Sequence, residues 1–196
     1  MTPTPPLYGL VLAGGQSIRM GEDKGLITYH GKPQREHLVD LLTPFCVEVF
    51  VSLNAQQDSS KQTSSILLDE FPELGPLGGI WSAMRRYPTE AWLVVACDVP
   101  LLSQLGVQHL AESRDASCYA TVYYHADDGQ IEPLISIWEP ACYAHVQQAI
   151  EAKAYSPKHL LNQLIIKKIL PPHEDELWNV NDPESQQKIF KLLEQR

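Results

Sequence analysis

The chain is 196 residues long, 44% hydrophobic and 20% charged, with a net charge of −9 at neutral pH. That length favours one domain with a core of ordinary size, expected over residues 1–196 with 1–6 frayed, and the composition is that of a globular protein. The negative balance argues against a nucleic-acid-coating protein; no apolar run is long enough for a membrane span, and the opening MTPTPPLYG lacks a basic region followed by an apolar one. Neither nucleic acid nor membrane is therefore expected as a partner, and the expected location is the cytoplasm.

Short apolar runs alternate with helix-like stretches. Leu7–Leu12 reads as a strand, and its LVLA segment is continuously apolar, as for a strand buried on both faces. A helix is predicted over Gln34–Thr43, then strands over Val47–Leu53 and Ser65–Leu68, and a helix over Pro76–Arg86. Ala91–Ala96 is a second continuously apolar strand, and Ser103 is placed to cap a helix over Gln104–Ser113. Strands follow at Ser117–Tyr124 and Glu132–Trp138, a helix at Ala141–Lys153 and a strand at Ile165–Leu170. The last helix, Pro183–Glu194, begins with a capping carboxylate on Asp182, a first-position proline and an acid, Glu184, in its first turn. AYSPKHLL and PPHEDE read as loops. Strands of this length separated by helices indicate βαβ units: an α/β fold, with a largely parallel sheet covered on both faces.

The chemistry concentrates after the first strand, in LVLAGGQSIRMGEDKGL. Gly14 and Gly15 lack a Cβ, so their amides can approach a ligand oxygen closely, and a row of such groups makes an anion-binding concavity. Arg19 and Lys24 supply positive charge, and with Lys32 and Arg35 they form a basic island opposed only by Glu22 and Asp23, a balance suited to a compact anion. In doubly wound folds ligands bind outside the carboxyl ends of the strands, where this loop falls. It is not a common nucleotide loop: GxxxxGK followed by Ser or Thr is absent, as is GxGxxG. Further along, LLDEFPELGPLGG opens a helix with Gly78 and Gly79 in its first turn, a cost that makes sense if something must lie against the backbone there. LVVACDVP ends a buried strand on Asp98; a carboxylate there can hold Mg²⁺ while substrate phosphates fill other positions, although an isolated aspartate also serves as a turn former. Cys46, Cys97, Cys118 and Cys142 are scattered among apolar residues and read as buried thiols, and the seven histidines show no metal-ligand spacing.

LAGGQSIRMGEDKGL followed by GKP at Gly31–Pro33 resembles the LAGGxSxRMGxDKxL…GKP signature of the molybdenum cofactor guanylyltransferases. Later blocks fall in the family's order, so the resemblance runs through essentially the whole chain. It implies a Rossmann-like three-layer α/β/α fold of the nucleotide-diphospho-sugar transferase type, and Mg²⁺-dependent transfer of GMP from GTP to the phosphate of molybdopterin, with release of pyrophosphate. By the same resemblance Leu12, Ala13, Gly14, Gly15, Asp69, Leu77 and Gly79 join Lys24 and Asp98 around the nucleotide; Arg19, Lys24 and Asp98 are the catalytic set; and Asp98 is the magnesium ligand. Ser52 and Asn54 both stand where the family places a base-contacting asparagine. Glu132, in GQIEPLISIW, and Asn179 and Asn181, in WNVNDPE, match blocks near the acceptor; Asn181 is also a second candidate for the metal, or a plain turn residue before Asp-Pro. Related cytidylyltransferases tend to carry LAAG where this chain has LAGG, which leans toward guanine. CTP, another phosphorylated acceptor, or nucleotide binding without catalysis are the alternatives.

Overall fold

The computed structural model describes residues 4–14, 23–57 and 64–194. Gly15, Arg19 and Gly21 lie outside the described residues. Among those described, seven strands form one sheet: β1 Leu7–Leu12, β2 Val49–Leu53, β3 Ser65–Leu68, β4 Ala91–Ala96, β5 Ala120–Tyr124, β6 Ile131–Trp138 and β7 Ile166–Ile169, in the order β3-β2-β1-β4-β6-β5-β7. All neighbouring pairs are parallel except those of β6, which runs antiparallel to β4 and β5. The order reverses beside β1, whose neighbours β2 and β4 lead away in opposite directions; a crevice at the carboxyl ends of β1 and β4 follows from that reversal.

Alternation along the central strands sorts the core into two layers. In β4, Ala91, Leu93 and Val95 face one side, with Leu38 and Leu42 of α1 (Gln34–Leu42) and Val107 and Leu110 of α3 (Gln104–Glu112). Trp92 and Val94 face the other, with Leu77 and Ile80 of α2 (Pro76–Arg86), Val146 of α4 (Tyr143–Glu151) and Leu160 of α5 (Pro157–Leu161). Every residue of β2 and β4 is buried, as the unbroken apolar run of β4 requires. A smaller cluster of Leu101, Val180 and Ile189 seats α6 (Pro183–Leu193).

The predicted strands and helices are present, with boundaries shifted for local reasons. Ser117 is held in a turn by Asp115 Oδ1, which accepts from its amide and hydroxyl, so β5 begins only at Ala120. Pro140–Cys142 forms a 3₁₀ turn ahead of α4, and beyond that helix Lys153 turns left-handed at φ 58°. Asp182 and Ser185 make a reciprocal capping box at α6, and Ser103 Oγ accepts from Gly106 N at α3. AYSPKHLL is a correction: Ser156 caps a helix over Pro157–Leu161 whose Leu160 and Leu161 are buried. PPHEDE runs into a 3₁₀ turn at Glu174–Leu177. All four cysteines are free; Cys97 and Cys142 are buried, whereas Cys46 and Cys118 are only partly so. Among the described residues no helix is long and apolar enough to cross a membrane.

Candidate functional site

The β1–β4 register sets Leu12 opposite Ala96, so the residues that follow, Ala13–Gly14 and Cys97–Asp98, leave the sheet side by side, with Cys97 N donating to Leu12 O. A cavity of about 690 Å³ opens there, within the size range of small-molecule sites. Of the residues named from the sequence, Leu12, Ala13, Gly14, Lys24, Ser52, Asn54, Asp69, Gly79 and Asp98 line it.

One side of the cavity is a polar junction drawn from distant parts of the chain. Lys24 Nζ donates to Val180 O at 2.7 Å and to Asn181 Oδ1 at 2.8 Å, and lies 3.8 Å from Asp98 Oδ2. Val180 N in turn donates to Asp98 O at 2.7 Å, which fastens the segment before α6 across the end of β4. Asn181 therefore does more than turn the chain: its carbonyl positions the Lys24 ammonium. Burial pushes the Asp98 carboxyl above the usual carboxylate range and Lys24 pulls it back. Its Oδ1 is buried with no hydrogen-bond partner among the described residues. An orphaned carboxylate oxygen at the edge of a cavity suits a hard divalent cation whose other positions are filled by phosphate oxygens and water. No cluster of three or more His, Cys, Asp or Glu able to hold a metal exists among the described residues, so this is the chemistry of a shared site, completed by its ligand, and Mg²⁺ fits it.

The opposite side is tied by amides. Asn54 Nδ2 donates to Gly14 O, and Asn54 Oδ1 accepts from Gln56 N. Gln57, which no sequence pattern singles out, donates through Nε2 to both Ala13 O and Asp23 Oδ2 at 2.7 Å, while its Oε1 accepts from Asn54 N. Ser52, 1% exposed, has its hydroxyl against Gly79, so of the two alternatives Asn54 is the one with accessible surface. Asp69 accepts from Phe71 N and holds its Oδ2 near Gly14; burial pushes its carboxyl up.

Gly78 and Gly79 correct one inference. What lies against their backbone is the protein itself: a Cβ on Gly78 would overlap the Phe71 carbonyl, and one on Gly79 would meet Leu12 Cδ2 at 2.7 Å and Ser52 Oγ at 2.9 Å. Leu77 is fully buried in the core on the α2 face of the sheet, away from the cavity lining. Gly75, just before this helix, lines the cavity as Gly79 does, and its φ of 61° is the left-handed geometry only glycine adopts readily. The basic island is likewise divided: Lys24 faces the cavity, Lys32 pairs with Asp40 on the surface, and Arg35 is buried.

Because β6 runs antiparallel, its start reaches the rim where β4 ends. Glu132 stands there, accepting from Asn179 Nδ2 at 3.1 Å, with His125 Nε2 4.0 Å away. Burial pushes the Glu132 carboxyl up, with the nearby Asp98 charge adding to it. Glu132 and Asn179 thus meet beside the Lys24–Asp98–Asn181 junction rather than on the cavity wall, and with Leu134, which does line it, they extend the rim.

The model of the MobA-like NTP transferase domain matches residues 9–168. A molybdenum cofactor biosynthesis bifunctional protein from Synechocystis sp. is 34% identical over 94% of this chain, which spans 54% of that protein's length. A probable molybdenum cofactor guanylyltransferase from Flavobacterium johnsoniae is 30% identical over 95% of this chain and 96% of its own. The crystal structure of molybdopterin-guanine dinucleotide biosynthesis protein A from Archaeoglobus fulgidus superposes with a TM-score of 0.79 at 20% identity, covering 96% of this chain and all of that one, which establishes a shared fold.

Proposed function

The chain belongs to the MobA-like NTP transferase family, and from that premise we propose that it transfers GMP from GTP to the phosphate of molybdopterin, forming molybdopterin guanine dinucleotide and releasing pyrophosphate. The observation that carries this reading is the convergence of Lys24, Asp98 and Asn181 beside the bare Gly14 main chain, with one Asp98 oxygen left unpartnered at the cavity. The guanylyl and molybdopterin parts rest on the names of the relatives.

An oxygen of the acceptor phosphate attacks the α-phosphorus of GTP; a new P–O bond forms as the bond to the β-phosphate oxygen breaks, and pyrophosphate leaves with the electron pair. No protein nucleophile is needed, so catalysis is positioning and charge neutralisation. Gly14 and the Lys24 ammonium receive the β- and γ-phosphates, Lys24 being held in place by Val180 and Asn181. Asp98 would hold Mg²⁺, which supplies Lewis-acid neutralisation of the phosphate oxygens. Asn54 and Asp69 flank the end of the cavity below Gly14 and are assigned to the base and ribose, while Glu132 and Asn179 stand on the acceptor side.

The test is pyrophosphate release with GTP, Mg²⁺ and a panel of phosphorylated acceptors, run on the wild type and Asp98→Asn. Turnover confined to molybdopterin, and abolished in D98N, is expected. Turnover with a different acceptor replaces the acceptor assignment, and near-wild-type rates in D98N overturn the role of Asp98.

A further inference from the structure

Arg35, in the first turn of α1, is 1% exposed, and its Nε and Nη1 are buried without a hydrogen-bond partner. A guanidinium does not shed its proton inside a protein, so two charged donors are held in the interior without an acceptor among the described residues. Among the described residues its neighbours give those two donors no acceptor. Gln34, fully buried beside it in sequence, leaves both amide atoms unpartnered and carries no charge. Asp23, whose Oδ1 lies against Gly25, accepts from Gly25 N and Gln57 Nε2 instead, so it offsets the charge without bonding either orphaned donor.

The location gives this cost a purpose. A Cβ built on Gly25 would lie 3.4 Å from Arg35 Cδ and 3.3 Å from Ala13 Cβ, so the arginine stem runs directly beneath the end of β1. Ala13 and Lys24, on either side of that point, both line the cavity. Arg35 thus sits behind the wall that Lys24 and Gly14 present to a ligand. Unpaired buried charge is removed by mutation at little cost unless something requires it, and a functional site is where such cost persists.

We propose that Arg35 is a positioning residue for the polyphosphate tail: a fixed positive charge behind the Ala13–Gly14 strand end, only partly offset by Asp23 and further balanced when the β- and γ-phosphates arrive. This rests on the nucleotide reading of the cavity and adds to it a cation that never touches solvent. It predicts a division between stability and affinity that an ordinary core residue would not show.

The test compares Arg35→Met and Arg35→Lys with the wild type by calorimetric titration of GTP, GMP and inorganic pyrophosphate, alongside thermal melts. R35M keeps the stem and drops the charge, so its Tm is expected at or above the wild-type value, with GTP and pyrophosphate affinity down by about tenfold or more and GMP affinity unchanged. R35K is expected to restore most of the GTP affinity. Should R35M fail to fold, Arg35→Gln takes its place under the same expectations. Wild-type GTP affinity in the charge-free variant, or equal losses for GTP and GMP, overturns the proposal alone. A wild-type protein that binds neither GTP nor pyrophosphate overturns it together with the nucleotide reading.

Discussion

Gly14→Ala isolates the question of base selection. A Cβ at Gly14 would sit 3.6 Å from Asn54 N, 3.7 Å from Asp69 Oδ2 and 3.8 Å from Ser52 O, all ordinary contact distances, and Gly14 is not among the glycines with positive φ. The protein itself therefore accepts the methyl, and Tm should move little, in line with the roughly 0.5 kcal/mol typical of unobtrusive substitutions. The methyl instead occupies ligand space, since Ser52, Asn54 and Asp69 are all cavity residues. One methyl in a shape-selective pocket is worth roughly 1–3 kcal/mol, about 10- to 200-fold. GTP affinity should fall by that factor while CTP, with its smaller base, loses less, so the ratio of the two dissociation constants shifts toward CTP. Calorimetric titration of both nucleotides into both proteins measures this. Undiminished GTP binding in a folded G14A protein refutes the placement of the base beneath Gly14. Equal losses for GTP and CTP would put a part common to both nucleotides there instead.

Lys24→Met should lower pyrophosphate release by roughly 10²–10³-fold, the loss typical of a donor aimed at developing charge. It should also loosen the Val180–Asn181 segment, read as faster hydrogen exchange at the Val180 amide; slow exchange would separate that fastening from the ammonium. His37, stacked on His30 at 3.8 Å, is lowered from 6.5 to about 4, chiefly by burial. Between those values the unfolded chain binds a proton that the folded one refuses, so stability present above pH 6.5 is lost as pH falls toward about 4. His37→Phe should flatten that slope in melts across this window, and an unchanged slope would refute it. Arg114, whose Nε and Nη2 donate to the two oxygens of Glu139 at 2.7 and 2.8 Å, anchors a carboxylate that is 2% exposed; Arg114→Ala should cost roughly 3–5 kcal/mol in urea unfolding, and a loss below about 1 kcal/mol would rule out that anchoring.

The sheet was legible because its central strands are buried on both faces and so advertise themselves as unbroken apolar runs, LVLA and WLVVA. Asp98 was legible for the same reason, standing where such a run stops. What escaped is held together by contacts without local pattern. Gln57 ties Ala13 and Asp23 through a single amide, which no spacing rule reveals. The five residues of α5 are too short to show helical periodicity, and only Ser156 before Pro157 hints at them. The glycines after Gly75 were ambiguous because close packing and ligand approach demand the same missing Cβ, and only the neighbours distinguish them. Ser52 and Asn54 were ambiguous because both stand at the end of one strand; the packing of Gly79 over the serine separates them.

The bond that fastens Lys24 to Val180 spans 156 residues between donor and acceptor. A nascent polypeptide emerging from the ribosome can assemble all seven strands by Ile169, before that acceptor exists. Chemical competence therefore comes last in synthesis: a fragment stopped short of Val180 would own a finished sheet and an ammonium without the two acceptors that hold it in place.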